Sequence, residues 1–217
     1  MLYPFLFLNI ISMKLDCIII QFARLPELGT VKTRLQPELG ELGCFELHQQ
    51  LLKHVHDQVK LSGYFQVLSL NKLGSDKFVD HIALDTPLIL QKGDDLGAKM
   101  HNAIDWGLTK ANKVIVIGSD CAVLNANHIK QVADELNTHS HVLIPAEDGG
   151  YVLVAAKESY APMFKDIKWG TGEVFEKTKY ALHVGNKKAA YMPLLWDVDR
   201  AEDYKRLLKT YNNWPCI

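Results

Sequence analysis

Five short polar clusters in this chain combine residue types that can hold phosphate and a hard metal ion. The first, FARLPELGTVKTRL at residues 22–35, sets Arg24, Lys32 and Arg34 around Gly29 and Thr30. A glycine-containing turn can aim backbone N–H groups at phosphate oxygens. Lysine adds a point charge and arginine a two-pronged donor. A solvated basic loop is the plainer reading of the same residues. The spacing is not that of a Walker loop. The second cluster is Gly118-Ser119-Asp120-Cys121, directly after the apolar run KVIVI. A carboxylate delivered there suits Mg²⁺, which takes one or two protein carboxylates and completes its shell with phosphate and water. Capping the next helix is the alternative role for Asp120. The third is Glu147-Asp148-Gly149-Gly150, where glycines allow close backbone approach or simply build a hairpin turn. The fourth is Asp197-Val198-Asp199, in which Asp199 is either a second metal carboxylate or a helix cap boxed with Glu202. The fifth, QKGDDLG at 91–97, reads alone as a loop and a cap supplied by Asp94 or Asp95.

Strands and helices in alternation must position these clusters. Residues 16–22 (DCIIIQF) read as a strand buried on both faces, as parallel strands are. A helix is expected from Pro37 to Leu61, with Leu42, Phe45, Leu52, Val55 and Val59 along its buried side. Further strands are expected at 64–70, 87–90, 113–117, 141–145, 151–156 and 189–192. Helices are expected at 75–83, 96–110, 125–137, 171–182 and 202–211. This order predicts one α/β domain with helices on both faces of the sheet. In such sheets ligands gather at the carboxyl ends of the strands, where the polar clusters fall.

The bulk properties narrow the function. Of 217 residues, 48% are apolar, and 24 Lys and Arg stand against 25 Asp and Glu. A near-neutral chain has no global field for nucleic acid, so an anionic ligand needs a local basic cluster. The four cysteines (Cys17, Cys44, Cys121 and Cys216) have no metal or redox spacing, which reads as a reducing, cytoplasmic setting. The nine histidines show no HExxH pattern and read mostly as surface residues. Residues 1–12, MLYPFLFLNIIS, are too short to span a bilayer and lack the basic start of a signal peptide. They read as an apolar extension before a natural start at Met13, with a surface or membrane-contact tail as the alternative; residues 13–217 read as a single domain.

Taken together, RLPELGTVKTRL, QKGDDLGAKM, GSDCAVL, PAEDGGY and DVDRAED occur in the order that marks a bacterial GT-A-type family of unassigned function. The resemblance runs from Cys17 to Leu208. Members are named as glycosyltransferases, one branch in arsenosugar biosynthesis, within the nucleotide-diphospho-sugar transferase superfamily. The chain departs from the pattern at Arg24 (usually Lys), Lys99 (usually Arg), Ala122 (usually Pro) and Arg200-Ala201 (usually Thr-Pro).

The resemblance implies a GT-A fold, a three-layer α/β/α arrangement on a mostly parallel sheet. It implies phosphate contacts from Arg24, Gly29, Thr30, Lys32 and Arg34. Asp120 and Asp199 would hold Mg²⁺ or Mn²⁺, and Asp148 and Gly149 would line the acceptor side. Lys32 and Arg34 would neutralise the leaving phosphate, with Asp148 or Glu147 as base. Glycosyl transfer from an NDP-sugar to a small acceptor ranks first. Nucleotidyl transfer from an NTP with pyrophosphate release ranks second, and a non-catalytic nucleotide binder third. A homodimer is compatible with everything above.

Overall fold

The computed structural model describes residues 14–74, 76–212 and 214; the extension at 1–12, the start at Met13 and Cys216 lie outside them. Seven strands form one sheet: β1 (Leu15–Ala23), β2 (Phe65–Leu70), β3 (Leu88–Leu90), β4 (Ala111–Ile117), β5 (His141–Pro145), β6 (Tyr151–Ala156) and β7 (Ala189–Tyr191). Their order is β3-β2-β1-β4-β6-β5-β7. All pairs are parallel except those of β6, which runs antiparallel to β4 and β5. That reversal follows from the EDGG turn, which joins β5 to β6 as a hairpin.

Alternation on β1 explains the layers. Cys17 and Ile19 pack with α1 (Gln36–Ser62) and α4 (Ala126–Glu135), through Val55, Val59, Ile129 and Val132. Ile18 and Ile20 face α3 (Leu96–Leu108) and α5 (Val174–Val184), through Met100, Ile104 and Leu182. Ile18, Ile19 and Ile20 have no exposed surface, and burying each stabilises the fold by about 1.5–3 kcal/mol. The sheet core, buried on both sides, is the expected three-layer α/β/α arrangement. Two shorter helices complete it: α2 (Lys77–Ile82), which packs on β2, and α6 (Ala201–Thr210), which packs on the first turns of α1.

Two sequence expectations need correction. Gly40 has φ 66° and ψ 178°, which breaks α1 near its start. The helical phase restarts after it, so Leu42 is exposed and Phe45 half-buried. The buried face is instead Cys44, Leu47, His48, Leu51, Leu52, Val55, His56 and Val59. The reading of the histidines as mostly surface residues needs only a partial correction: six of the nine are at least partly exposed, but His48, His56 and His141 are buried. Among the described residues, no helix is long and apolar enough to cross a membrane.

Candidate active site

The neighbouring parallel strands β1 and β4 end at the same sheet edge. β1 releases the basic loop there, and β4 releases Gly118-Ser119-Asp120. The loop first makes a tight turn, in which the Thr30 N–H and hydroxyl both donate to the Glu27 carbonyl. Gly29 takes φ 76° in that turn. Thr30 therefore spends its hydroxyl inside the loop. Lys32 follows in the left-handed region, at φ 51°, a conformation that costs a non-glycine residue about 1–2 kcal/mol. It starts a 3-10 turn (Thr33–Leu35) whose Leu35 is fully buried.

The strained backbone sends the Lys32 side chain inward, where only 5% of it is exposed. Its Nζ donates to the Val198 carbonyl at 2.7 Å and lies 2.6 Å from Asp120 Oδ1. The Val198 N–H donates to the Asp120 carbonyl at 3.0 Å. The Asp197-Val198-Asp199 segment is thus tied along the edge of the sheet, bonded to both the loop and Asp120. Arg34 closes the arrangement through an ion pair with Asp199. Sequence segments separated by nearly the whole domain meet in one place.

The electrostatics follow. Burial alone would raise the Asp120 pKa; Lys32, then His48 and Arg24, outweigh it and hold the carboxyl below its ordinary value. Yet 49% of the Asp120 side chain is exposed. It is recessed among protein charges while open to a ligand. Asp197 is pushed up to about 7, by burial first and then by Asp120, with smaller contributions from Asp148 and Asp199. It makes no ion pair among the described residues, whereas Asp199 is held by Arg34. Asp197, which had no evident role from sequence, lies near enough to Asp120 for that charge to help raise its pKa. Its position two residues from Asp199 on an extended segment was the available signal, but spacing alone does not choose between them. His48 was also missed. It is buried on α1 with Nε2 3.0 Å from the Arg24 carbonyl, and burial lowers its pKa.

The remaining candidates have other surroundings. Asp148 Oδ1 accepts from the Gly150 N–H at 2.8 Å, which orders the hairpin turn. Glu147 pairs with Arg206 at 2.8 Å. Gly149 has φ 86°, and a Cβ there would lie 2.2 Å from the Gly172 carbonyl oxygen, so its glycine character serves loop packing. Neither Asp120 nor Asp199 caps the helix that follows it. Asn125 caps α4, while Arg200 occupies the first cap of α6, with Asp203 accepting from the Asp199 and Arg200 N–H groups. Asp95, one of the two candidates, caps α3 through the Ala98 N–H.

At the same edge of the sheet, lined by other residues, a cavity of about 430 Å³ runs from the ends of β2 and β3 down the flank of α3. Leu88, Ile89 and Trp106 form apolar walls, with Gln91, Lys92 and Lys99 at polar positions. Gln91 Nε2 donates to the Ala23 and Ser69 carbonyls, which fixes the amide and leaves its oxygen available. Among the described residues, no group of three or more His, Cys, Asp or Glu is arranged to hold a metal ion. The Asp120 carboxylate, half exposed at this edge of the sheet, is of a kind that fits a hard ion whose other ligands come from a phosphate substrate.

The family model for an "uncharacterized protein conserved in bacteria" (DUF2064) matches residues 54–171, more than half of the chain. The chain belongs to this family. The matched DUF2064 region contains Asp120 and the EDGG turn, while the basic loop and Asp197–Asp199 lie outside it. The chain is 22% identical over 203 residues to the 2-phospho-L-lactate guanylyltransferase of Methanobrevibacter ruminantium, covering 84% of this chain and 81% of that protein. Its fold matches a Desulfovibrio desulfuricans G20 protein assigned as a nucleotide-diphospho-sugar transferase, with a TM-score of 0.85 and 24% identity over 92% of this chain and 89% of that one. A Mycobacterium tuberculosis H37Rv protein, Rv0371c, in complex with manganese aligns at TM-score 0.52 and 15% identity, covering 90% of this chain and 100% of that one. The fold of this DUF2064 member is thus that of the nucleotide-diphospho-sugar transferases, as the sequence resemblance implied.

Proposed function

We propose that this chain is a nucleotidyltransferase that couples an NTP to a small phosphorylated acid and releases pyrophosphate. The observation that carries this reading is the Lys32 clamp: a buried ammonium held between Asp120 and the Val198 carbonyl, with Arg34 beside it. A triphosphate tail needs cations next to a carboxylate able to take a divalent ion, and this edge of the sheet supplies both. The likeness to a guanylyltransferase over most of the chain supports the same reading. Glycosyl transfer, ranked first on sequence, loses that place. The Desulfovibrio likeness speaks for the fold, whereas the cation arrangement suits a longer phosphate tail.

In this reading, the base of the donor enters the cavity beside Trp106, with the Gln91 amide oxygen as an acceptor for a ring or amino N–H. Asp120 and Asp197 would hold Mg²⁺ or Mn²⁺, and the bound ion would supply positive charge against the leaving pyrophosphate. Arg24, Lys32 and Arg34 bind and orient the phosphates. An ionised phosphate oxygen of the acceptor forms the new bond to the α-phosphorus. The bond to the α,β-bridging oxygen breaks, and the electron pair leaves with pyrophosphate. This nucleophile carries no proton to remove, so Asp148 is free to order the turn lining the acceptor side rather than act as a base. Electrostatic aid of this kind contributes about 2.7–4 kcal/mol per well-placed group.

A thermal-shift comparison of the four NTPs, each with and without Mn²⁺, tests donor binding. Selective binding raises the midpoint with Mn²⁺, because only the native state binds, and Asp120→Ala removes the metal-dependent rise. If NDP-sugars raise the midpoint and no NTP does, nucleotidyl transfer is wrong.

A further inference from the structure

A run of buried polar side chains crosses the interface between α1 and the sheet, although the sequence there reads as apolar. Gln21 on β1 has no exposed surface, and every hydrogen-bonding group of its amide is used. Nε2 donates to the Leu52 carbonyl and to Ser119 Oγ, both at 3.1 Å, and Oε1 accepts from Gln66 Nε2 at 2.9 Å. A flipped amide would set oxygen against the Leu52 carbonyl, so the orientation is fixed. Ser119 Oγ in turn donates to the Phe22 carbonyl at 2.8 Å. The other Gln66 hydrogen points at His56 Nδ1, 2.9 Å away. His56 must then accept at Nδ1 and carry its proton on Nε2, which lies 3.5 Å from Thr86 Oγ1. Burial lowers the His56 pKa, which agrees with a neutral ring. Thr86 donates to Asp85, which pairs with Lys60 at the surface.

The α1 members of this seam, the Leu52 carbonyl and His56, lie four residues apart on one helical face, and His48 extends the same face toward the active site. The other end of the seam is Ser119, the residue immediately before Asp120. A buried glutamine costs stability unless each of its groups is paired. Here every group of Gln21 is paired, and one of its partners sets the turn that carries Asp120. Within the seam only Gln66 Oε1 is left without a partner among the described residues.

We infer that Gln21 is a positioning residue: through Ser119 it fixes the turn that aims the Asp120 carboxylate, and Gln66 and His56 hold its amide in the one orientation that does so. The catalytic consequence rests on the proposed nucleotidyl transfer; the structural coupling does not, and the test reads the two separately.

Gln21→Met keeps the length of the side chain and removes its hydrogen bonds. Hydrogen exchange should quicken about tenfold or more at the amides of residues 118–122, with exchange in the centre of β4 unchanged. In turnover, kcat should fall about tenfold while KM for the NTP stays within twofold, because the triphosphate clamp is intact. Ser119→Ala cuts the link at its other end and should reproduce both effects, and the double variant should be no worse than either single one. This second variant keeps the test open if Gln21→Met folds poorly. Unchanged exchange at 118–122 in both single variants overturns the inference, as does a double variant whose effects add. If the wild-type protein turns over no NTP, the proposed function fails, while the exchange result still decides whether Gln21 holds the turn.

Discussion

Replacing Lys32 with Met keeps the buried stem and deletes the charge, and its effects on stability, turnover and metal binding differ in sign. Two contacts are lost: the hydrogen bond to the Val198 carbonyl and the ion pair with Asp120. The pair itself is worth little, about 0–1 kcal/mol, because Asp120 is half open to water and can be hydrated. The charge-assisted bond to Val198 is worth about 1.5–3 kcal/mol, partly offset because a buried ammonium no longer needs desolvating. A net loss of about 2 kcal/mol should lower Tm by about 4–8 °C in a domain of this size. Turnover should fall about 10²–10³-fold through loss of charge on the leaving phosphate. Binding of Mn²⁺ without nucleotide should tighten, because the ammonium no longer competes for Asp120. Scanning fluorimetry, a coupled pyrophosphate assay and Mn²⁺ titration followed by electron paramagnetic resonance read these three quantities. A variant with lowered Tm and turnover within threefold of wild type would show that Lys32 only braces the loop.

Other perturbations test other links. Asp197→Asn should weaken Mn²⁺ binding in the presence of GTP at least tenfold more than Asp199→Asn, because Asp199 is already held by Arg34; equal effects in a metal titration would contradict the assignment. Gly149→Ala should lower stability by about 3 kcal/mol or more, since a positive φ is compounded by a clash with the Gly172 carbonyl, whereas Gly170→Ala, at φ 77° in open space, should cost only about 1 kcal/mol in urea unfolding. His141 has no exposed surface, and burial lowers its pKa to about 4. The unfolded chain therefore binds a proton that the native state refuses between about pH 6.5 and pH 4. Stability is fully present above that window and declines by about 3 kcal/mol as pH falls through it. His141→Asn should flatten that part of the pH–stability curve, and an unchanged slope would place the effect elsewhere.

The fold was legible because its strands and helices obey their own periods. KVIVI and DCIIIQF read as buried strands and form such strands, and the EDGG turn, read as a possible hairpin, is where β6 reverses. Asp120 and Lys32 were legible through topology, because residues that follow β1 and β4 must share an edge of the sheet. Where reading failed, a distant partner or a local backbone event decided the outcome. Gly40 reset the phase of α1, which no apolar spacing reveals, and so exposed Leu42. Gln21 carried no local signal of its role, because its partners Gln66 and Ser119 lie 45 and 98 residues away. That Arg34 pairs with Asp199 is likewise a matter of side-chain geometry, and the preference for Asp197 over Asp199 as a metal ligand is a proposal built on it.

The most direct measurement follows both phosphate products at once. Wild-type protein is incubated with Mn²⁺, GTP labelled at the α-phosphate and 2-phospholactate or a short phosphorylated hydroxy-acid analogue, beside a parallel reaction with GDP-sugars. Nucleotidyl transfer predicts pyrophosphate in step with label entering the acid, and loss of both in Asp120→Asn. Free GDP from a GDP-sugar, with no pyrophosphate from GTP, would contradict it.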